Sequence, residues 1–409
     1  MSGFFSKNKL GFLRKISKDF VFSVLALIIY NGALQLLIYP GIERGVGADA
    51  FGTVLYLISA VSIMGAGFGT AASYSRMMAQ KDRTQENGDY NIFLLIIAVI
   101  SIPVTAIALH VAHHFEPGIF ILVLVLMIVT VFRYYADVQY RMEIRFRDYF
   151  LFFAFVSVGY LLGLYVIYPA LGSWTWVLIT GEVLGLAFTF FSGRIFRSPY
   201  FKLSDSFKDN MKSVWFMSAS NLLAALILHS DRILLRLAVG ERAVTVFYTA
   251  SIIGKIVALL TTPLNGIVIS YLTNYKIKLD KKRFTFITGA FFGVTIVGTF
   301  ACMFVSDIFV KIMYPDVYAE AAKYFLIANL GQLLYFISGS LMVVILAFTG
   351  EKLQLYINAV YAALFAIIVI PAAIVLGIAG VAWGLVLVNL LRFVIVYVIG
   401  ILGIKNKGM

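Results

Sequence analysis

Two cations occupy places where a charge is expensive. Lys255 lies in "ASIIGKIVALLTTPL" and Arg392 in "VLVNLLRFVIVYVIG", runs that are otherwise almost wholly apolar. Hydrocarbon solvates ions poorly, so an ionisable side chain kept in such a run is a functional candidate by default. Both would attract an anion. The planar guanidinium of Arg392 matches two oxygens of one phosphate, whereas the ammonium of Lys255 acts as a point charge. Tyr248, Ser251 and Thr262 stand at i−7, i−4 and i+7 from Lys255, a polar stripe at helical spacing, and Asn389 precedes Arg392 by one turn. Each cation has a plainer reading too: Lys255 pairs with Asp231, Glu182 or Asp307 and fixes helix packing, and Arg392 snorkels to an interface.

Asp231 raises a separate question, because "LHSDRILLRLAVGERA" crowds charges together. Asp231 and Arg232 are neighbours and point apart, whereas Arg232 and Arg236 share a helical face. Asp231 is therefore either half of a gate that closes on a cation such as Arg44, or a member of an ion cluster capping helix ends in water. Arg76 and Arg133 fall at the ends of apolar runs; such arginines orient a chain and touch lipid phosphates, or else receive an anionic headgroup. Asn31 and Gln35 are the polar residues of the first run, "FVFSVLALIIYNGALQLLIY". Asn221, Asn265, Asn329, Gln332 and Asn358 line a cavity or bond helix to helix. His110, His113 and His114 lack metal-ligand spacing, and the single Cys302 permits no disulfide framework. No cofactor, no metal site and no catalytic constellation is expected.

The elements that must hold these residues are membrane helices. The 409 residues are 61% hydrophobic and 13% charged, with a mean hydropathy of +0.94, which places the chain in a bilayer. Apolar windows fall at about 20–41, 53–75, 91–112, 118–136, 150–169, 174–193, 213–232, 244–270, 284–306, 322–347, 353–376 and 379–401. Twelve helices are predicted, since in lipid a segment must satisfy its own backbone. With the amino terminus inside, 25 of the 33 lysines and arginines fall on inside segments and 6 outside. Both termini are thus expected in the cytoplasm, with "MSGFFSKNKLGFLRKISKDF" as a retained basic tail. The net charge of +13 follows from this bias, with membrane lipids as partners and no nucleic acid.

Twelve spans divide into two sixes. "VGADAFGTVLY" from Val46 aligns with "VGERAVTVFYT" from Val239 at an offset of 193, matching Gly47 with Gly240 and Ala50 with Ala243. The expected fold is an all-α polytopic membrane protein with two pseudo-symmetric six-helix lobes. The lobes are assigned to residues 1–193 and 213–409, joined by a cytoplasmic linker over 194–212.

The segment "HSDRILLRLAVGERAVTVFYTASIIGKIVALLTTPL", with Asp231, Gly240, Tyr248 and Ala250, resembles the seventh and eighth helices of bacterial polysaccharide flippases in the multidrug/oligosaccharidyl-lipid/polysaccharide exporter superfamily. "YPDVYAEAAKYFLIANLGQLLYFISGSLMVVILAFTGEKLQLYINAVYAALF" and "GIAGVAWGLVLVN" resemble its tenth to twelfth helices, with Tyr318, Ala321, Gly350, Lys352, Gly377, Gly380 and Gly384 in the recurring positions. "GADAFGTVLYLIS" and "GFGTAASYSRMMAQ" resemble its first connection and the end of its second helix. The resemblance implies a V-shaped bundle in the bacterial plasma membrane that moves an isoprenoid-pyrophosphate-linked oligosaccharide outward by alternating access. Substrate contacts are then expected at Lys255, Arg392, Arg76, Arg133, Asn31, Gln35 and Asn389, and gating at Asp231 and Arg44. A proton or sodium ion is the expected coupling ion, and polysaccharide polymerase or assembly proteins are expected partners. The alternative is a cation-coupled drug or small-metabolite antiporter of the same superfamily, against which the absence of an acid in the quoted first run counts.

Overall fold

Long apolar runs in hydrocarbon leave the backbone no partner but itself, and helices dominate accordingly. A computed structural model describes residues 19–80, 82–274, 280–346 and 352–407, without the side chains of 258–274 and a few others. The basic tail before Asp19, Gly350 and the side chains of Thr262, Asn265 and Lys352 lie outside the described residues.

Among the described residues the chain is helical and has no strand. The helices are α1 (Asp19–Val46), α2 (Ala48–Ala79), α3 (Asn87–Val111), α4 (Pro117–Met142), α5 (Phe146–Leu171), α6 (Thr175–Ser192) and α7 (Phe207–Ala238). After these come α8 (Glu241–Asn274), α9 (Lys281–Met313) and α10 (Phe325–Leu346). The last stretch, 352–407, is broken at Gly377, with φ 59° and ψ −131°, into α11 and α12. Among the described residues ten helices meet the length and composition of a membrane span. Two of the twelve expected spans are not counted separately there: α11 and α12 run on as one stretch, Tyr356–Gly403, and much of α8 lies outside the described side chains.

Four helices carry short wide turns, Ala33–Ile38, Gly65–Gly69, Gly163–Ile167 and Phe365–Val369. Such π-type turns add a residue to the turn and re-aim the side chains beyond it.

The chain forms two compact units. The first comprises Tyr56–His229 and the chain up to Val46; the second comprises Gly47–Leu55 and the chain from Ser230 onward. In the first unit α6 packs on α5 and α4, and α4 on α2 and α3, around Phe93, Ile97, Leu126, Val156 and Val177. In the second, α10 packs on α8, α9 and α12, with Phe284, Leu341, Ile345, Phe393 and Val396 in the core.

The repeat seen in the sequence has a structural counterpart in the second unit. Gly47 and Gly240 both have positive φ, 84° and 130°, a backbone state that glycine adopts without strain. Each separates two helices, and the helix starts that follow them meet. Thr245 Oγ1 donates to the Ala48 carbonyl at 2.6 Å, and Thr53 Oγ1 to Glu241 at 2.7 Å. Asp49 and Arg242, which are 193 apart, form an ion pair at 2.9 Å.

Candidate functional site

The first unit holds a completed charge centre. Apolarity ends the fourth window at 136, and on that basis Arg133 closes its helix. The helix is regular to Ala136, a turn at Asp137 follows, and a short helix Val138–Met142 carries the chain on, with Asp137 and Arg141 paired at i,i+4. Arg133 stands in the last turn before Ala136, as expected, yet it turns inward and is 4% exposed. Its Nε donates to Glu182 Oε2 at 2.5 Å and its Nη2 to Glu182 Oε1 at 3.2 Å, the bidentate fork that a guanidinium makes with a carboxylate. Nη2 also donates to the Tyr30 hydroxyl at 2.9 Å, and Tyr160 donates to Glu182 Oε1 at 2.6 Å.

Gly181 makes this reach possible, since a Cβ there would lie 2.0 Å from the Tyr160 ring. The Tyr134 ring lies 4.0 Å from the guanidinium carbon. A small cavity of about 30 Å³ adjoins the centre, bordered by Tyr30, Arg133, Tyr160 and Glu182, which is room for a water molecule or two. Glu182, Tyr30 and Tyr160 were absent from the expected site. Glu182 was visible as the one acid of the sixth window, but the periodicity of one helix does not show that Arg133 of another packs against it.

Arg76 stands in the last turn of α2 as expected, yet it turns inward and is 8% exposed. It donates to the Tyr135 hydroxyl and, at 2.8 Å, to Asn87 Oδ1. The Tyr90 ring lies 5.1 Å from its guanidinium carbon. Asn31 donates to the Leu27 carbonyl of its own helix at 2.9 Å. Gln35 is half-buried in the wide turn of α1, and Arg44 is exposed near that helix's end.

The second unit holds a less complete centre. Of the readings open for Lys255, the structure shows the ion pair with Asp231: Nζ to Oδ2 is 2.6 Å, with Asp231 buried and Lys255 half-buried. Asp231 Oδ1 also accepts from the Arg232 backbone amide at 2.9 Å. The Tyr248 ring lies under both cations, 5.8 Å from Lys255 Nζ and 4.9 Å from the Arg232 guanidinium.

Beside Lys255 the amide of Asn329 enters α8. It accepts from Gly254 N at 2.7 Å and donates to the Ala250 carbonyl at 3.2 Å and to Ser306 at 3.0 Å. Asn329 thus stitches α8, α9 and α10 together, the helix-to-helix alternative weighed for it above.

Arg392 is buried at 5% exposure, which removes snorkelling as its explanation. Its guanidinium packs on the Tyr335 ring at 4.5 Å and the Tyr361 ring at 5.2 Å, and donates to the Tyr335 carbonyl at 3.3 Å. No carboxylate among the described residues lies within 4 Å of it, and its Nε has no acceptor. Asn389, one turn away, donates to the Gly331 carbonyl at 2.9 Å, while its own Oδ1 is buried without a donor. A cation and an amide on one face of α12 therefore have unused hydrogen-bonding capacity.

Multiple long apolar helices with ionisable groups inside them fit a multi-pass membrane protein. By sequence, no protein family and no curated protein matches the chain. Solved structures do. An inward-facing multidrug resistance MATE family transporter of the MOP superfamily aligns with a TM-score of 0.63 at 14% identity, over 94% of this chain and 96% of that one. The lipid II flippase MurJ, in an inward closed conformation, aligns at 0.62 and 13%, over 97% and 88%. The Vibrio cholerae MATE transporter VcmN in its bent form aligns at 0.60 and 11%, over 96% and 98%. The chain has the helical fold of MOP-superfamily transporters.

Proposed function

We propose that the protein is a flippase that carries an isoprenoid-pyrophosphate-linked oligosaccharide from the inner to the outer leaflet of the bacterial plasma membrane for surface polysaccharide synthesis. It works by alternating access of the two six-helix lobes, 1–193 and 213–409, about the 194–212 linker. Arg392 carries the reading. A buried guanidinium without a carboxylate partner is a costly arrangement, and an anionic ligand with two phosphate oxygens would complete it. Lys255, partly buried beside Tyr248 and paired with Asp231, supplies a second positive charge to the same class of substrate when that pair opens. The fold it shares with a lipid II flippase supports the lipid-linked class.

The test is reconstitution in liposomes with a fluorescent polyprenyl-pyrophosphate oligosaccharide, scored by quenching from outside. Wild-type protein should expose the label; Arg392→Gln and Lys255→Gln should not, at equal incorporation. Full flipping by the double variant removes both from the substrate path. The fold it shares with MATE transporters keeps a second reading, a cation-coupled drug or small-metabolite antiporter. Drug resistance conferred on a sensitive host, with no flipping, would favour that reading. The gating role of Asp231 with Arg44 belongs to the same proposal: Asp231→Asn and Arg44→Gln should change outside access to a cavity cysteine without adding.

A further inference from the structure

Arg76 leaves a charge unaccounted for in the first unit. It is more than nine-tenths buried, its two bonds go to a neutral phenol and a neutral amide, and its Nε has no acceptor. No carboxylate among the described residues pairs with it. The guanidinium borders a cavity of about 170 Å³ whose other walls are Asn87, Gln139, Met142, Arg194 and Ile195. Arg194 is exposed and in no ion pair among the described residues. Two arginines thus line one cavity, and the guanidinium of one of them is buried, a state that calls for a counter-anion.

The cavity is held by the segment that follows α6. Gln139 Oε1 accepts from the backbone amides of Arg194 and Ile195 at 2.9 and 3.1 Å. Asn87 Nδ2 donates to the carbonyls of Arg194 and Arg197 at 3.1 and 3.0 Å. The same segment walls a second space on its other side. An open groove of about 610 Å³ runs between α3, α4 and α6, and its lining is nearly all apolar, with the rings of Phe132, Phe190, Phe191, Phe196, Tyr200 and Phe201. That volume is typical of a small-molecule site. Only two packed side chains lie between the two spaces: Phe196 in the groove packs against Tyr135 at 6.0 Å, and Tyr135 accepts from Arg76. An anion cavity and an aromatic groove therefore adjoin across one turn of chain.

We propose that this is a docking site for a polyprenyl phosphate lipid, with the phosphate in the Arg76 cavity and the isoprenoid chain in the groove. It lies wholly within the first unit and uses neither Lys255, Arg392 nor the Arg133–Glu182 pair. The charge balance calls for an anionic phosphate, and the choice of an isoprenoid over an acyl chain rests on the flippase reading.

The experiment is native mass spectrometry and competition binding of the full chain in detergent, with undecaprenyl phosphate, phosphatidylglycerol and inorganic pyrophosphate as separate probes. Undecaprenyl phosphate should bind best, and Arg76→Gln should weaken it by about tenfold, the size of a lost charged hydrogen bond. Because Arg76 is buried, the exposed Arg194→Gln serves as the variant that folds safely, and it should weaken binding severalfold. Ala187→Trp, which fills the groove from α6, should weaken the lipid and leave pyrophosphate unaffected. Equal binding of pyrophosphate with no effect of Ala187→Trp overturns the lipid and leaves a free-anion site. Equal binding of phosphatidylglycerol overturns the isoprenoid. Binding unchanged by both arginine variants overturns the site itself. Binding needs no transport, so intact binding without flipping would count against the flippase reading alone, and flipping without this binding against the site alone.

Discussion

The Arg133–Glu182 centre of the first unit and the Arg392 face of the second both place a guanidinium inside a helix of a membrane protein, and they are finished in opposite ways. Arg133 has a carboxylate, a phenol and an aromatic face around it. Arg392 has two aromatic faces, one backbone carbonyl and no carboxylate among the described residues. Burying an ion costs several kcal/mol unless a partner is supplied. A centre that supplies its own partner is structural, and one that lacks it is poised for a partner from outside. The distinction turns on completeness, since the two arginines are almost equally buried.

The largest expected effect is therefore on stability, and in the first unit. Glu182→Gln leaves Arg133 buried without its counter-charge, which should destabilise the protein by about 3–5 kcal/mol. Thermal unfolding in detergent should show it as a marked fall in midpoint. The double variant Arg133→Met with Glu182→Leu removes both charges and should recover most of that loss. A single variant as stable as wild type would mean that the pair is solvated, and the contrast with Arg392 would vanish.

Arg392 should behave the other way round. Arg392→Gln removes an under-satisfied cation, so the unfolding midpoint should stay within about 1 kcal/mol of wild type while transport is lost. Arg392→Lys keeps the charge but loses the fork, and transport should fall by about tenfold or more. If Arg392→Gln unfolds the protein as Glu182→Gln does, the open cation is a structural one as well.

The two centres were not equally legible in the sequence. Lys255 and Arg392 stood out as lone charges in apolar runs, and the glycines of the repeat marked the helix breaks at Gly47 and Gly240. Arg133 stood at the end of its apolar run and does lie in the last turn before Ala136, but hydropathy does not report whether a helix-end arginine turns inward. The pairing of Arg133 with Glu182, 49 positions away, and the inward turn of Arg76 depend on how helices pack, which single-helix periodicity does not encode. Asn329 was legible as a polar residue in a span, but its insertion between Ala250 and Gly254 follows only from the approach of α10 to α8.

The meeting of the helix starts at Gly47 and Gly240 allows a smaller test of the same principle, burial against exposure. Thr245 is fully buried and donates to the Ala48 carbonyl. Thr245→Val keeps the shape and leaves that carbonyl without this donor, a loss of about 1 kcal/mol or somewhat more. Arg242 lies a few residues away and makes more bonds, to Asp49 at 2.9 Å and to Glu320 at 2.7 Å. All three of its charged groups are substantially exposed, however, with 44%, 60% and 44% of side-chain surface accessible. Water already solvates them well, and salt screens what attraction remains. Arg242→Gln should therefore shift the unfolding midpoint less than Thr245→Val does, despite removing two ion pairs, and its effect should shrink further as salt is raised. The Thr245→Val effect should not depend on salt. A large, salt-independent loss from Arg242→Gln would show that this cluster is shielded from solvent, as the Arg133–Glu182 pair is, and burial would then no longer separate the two.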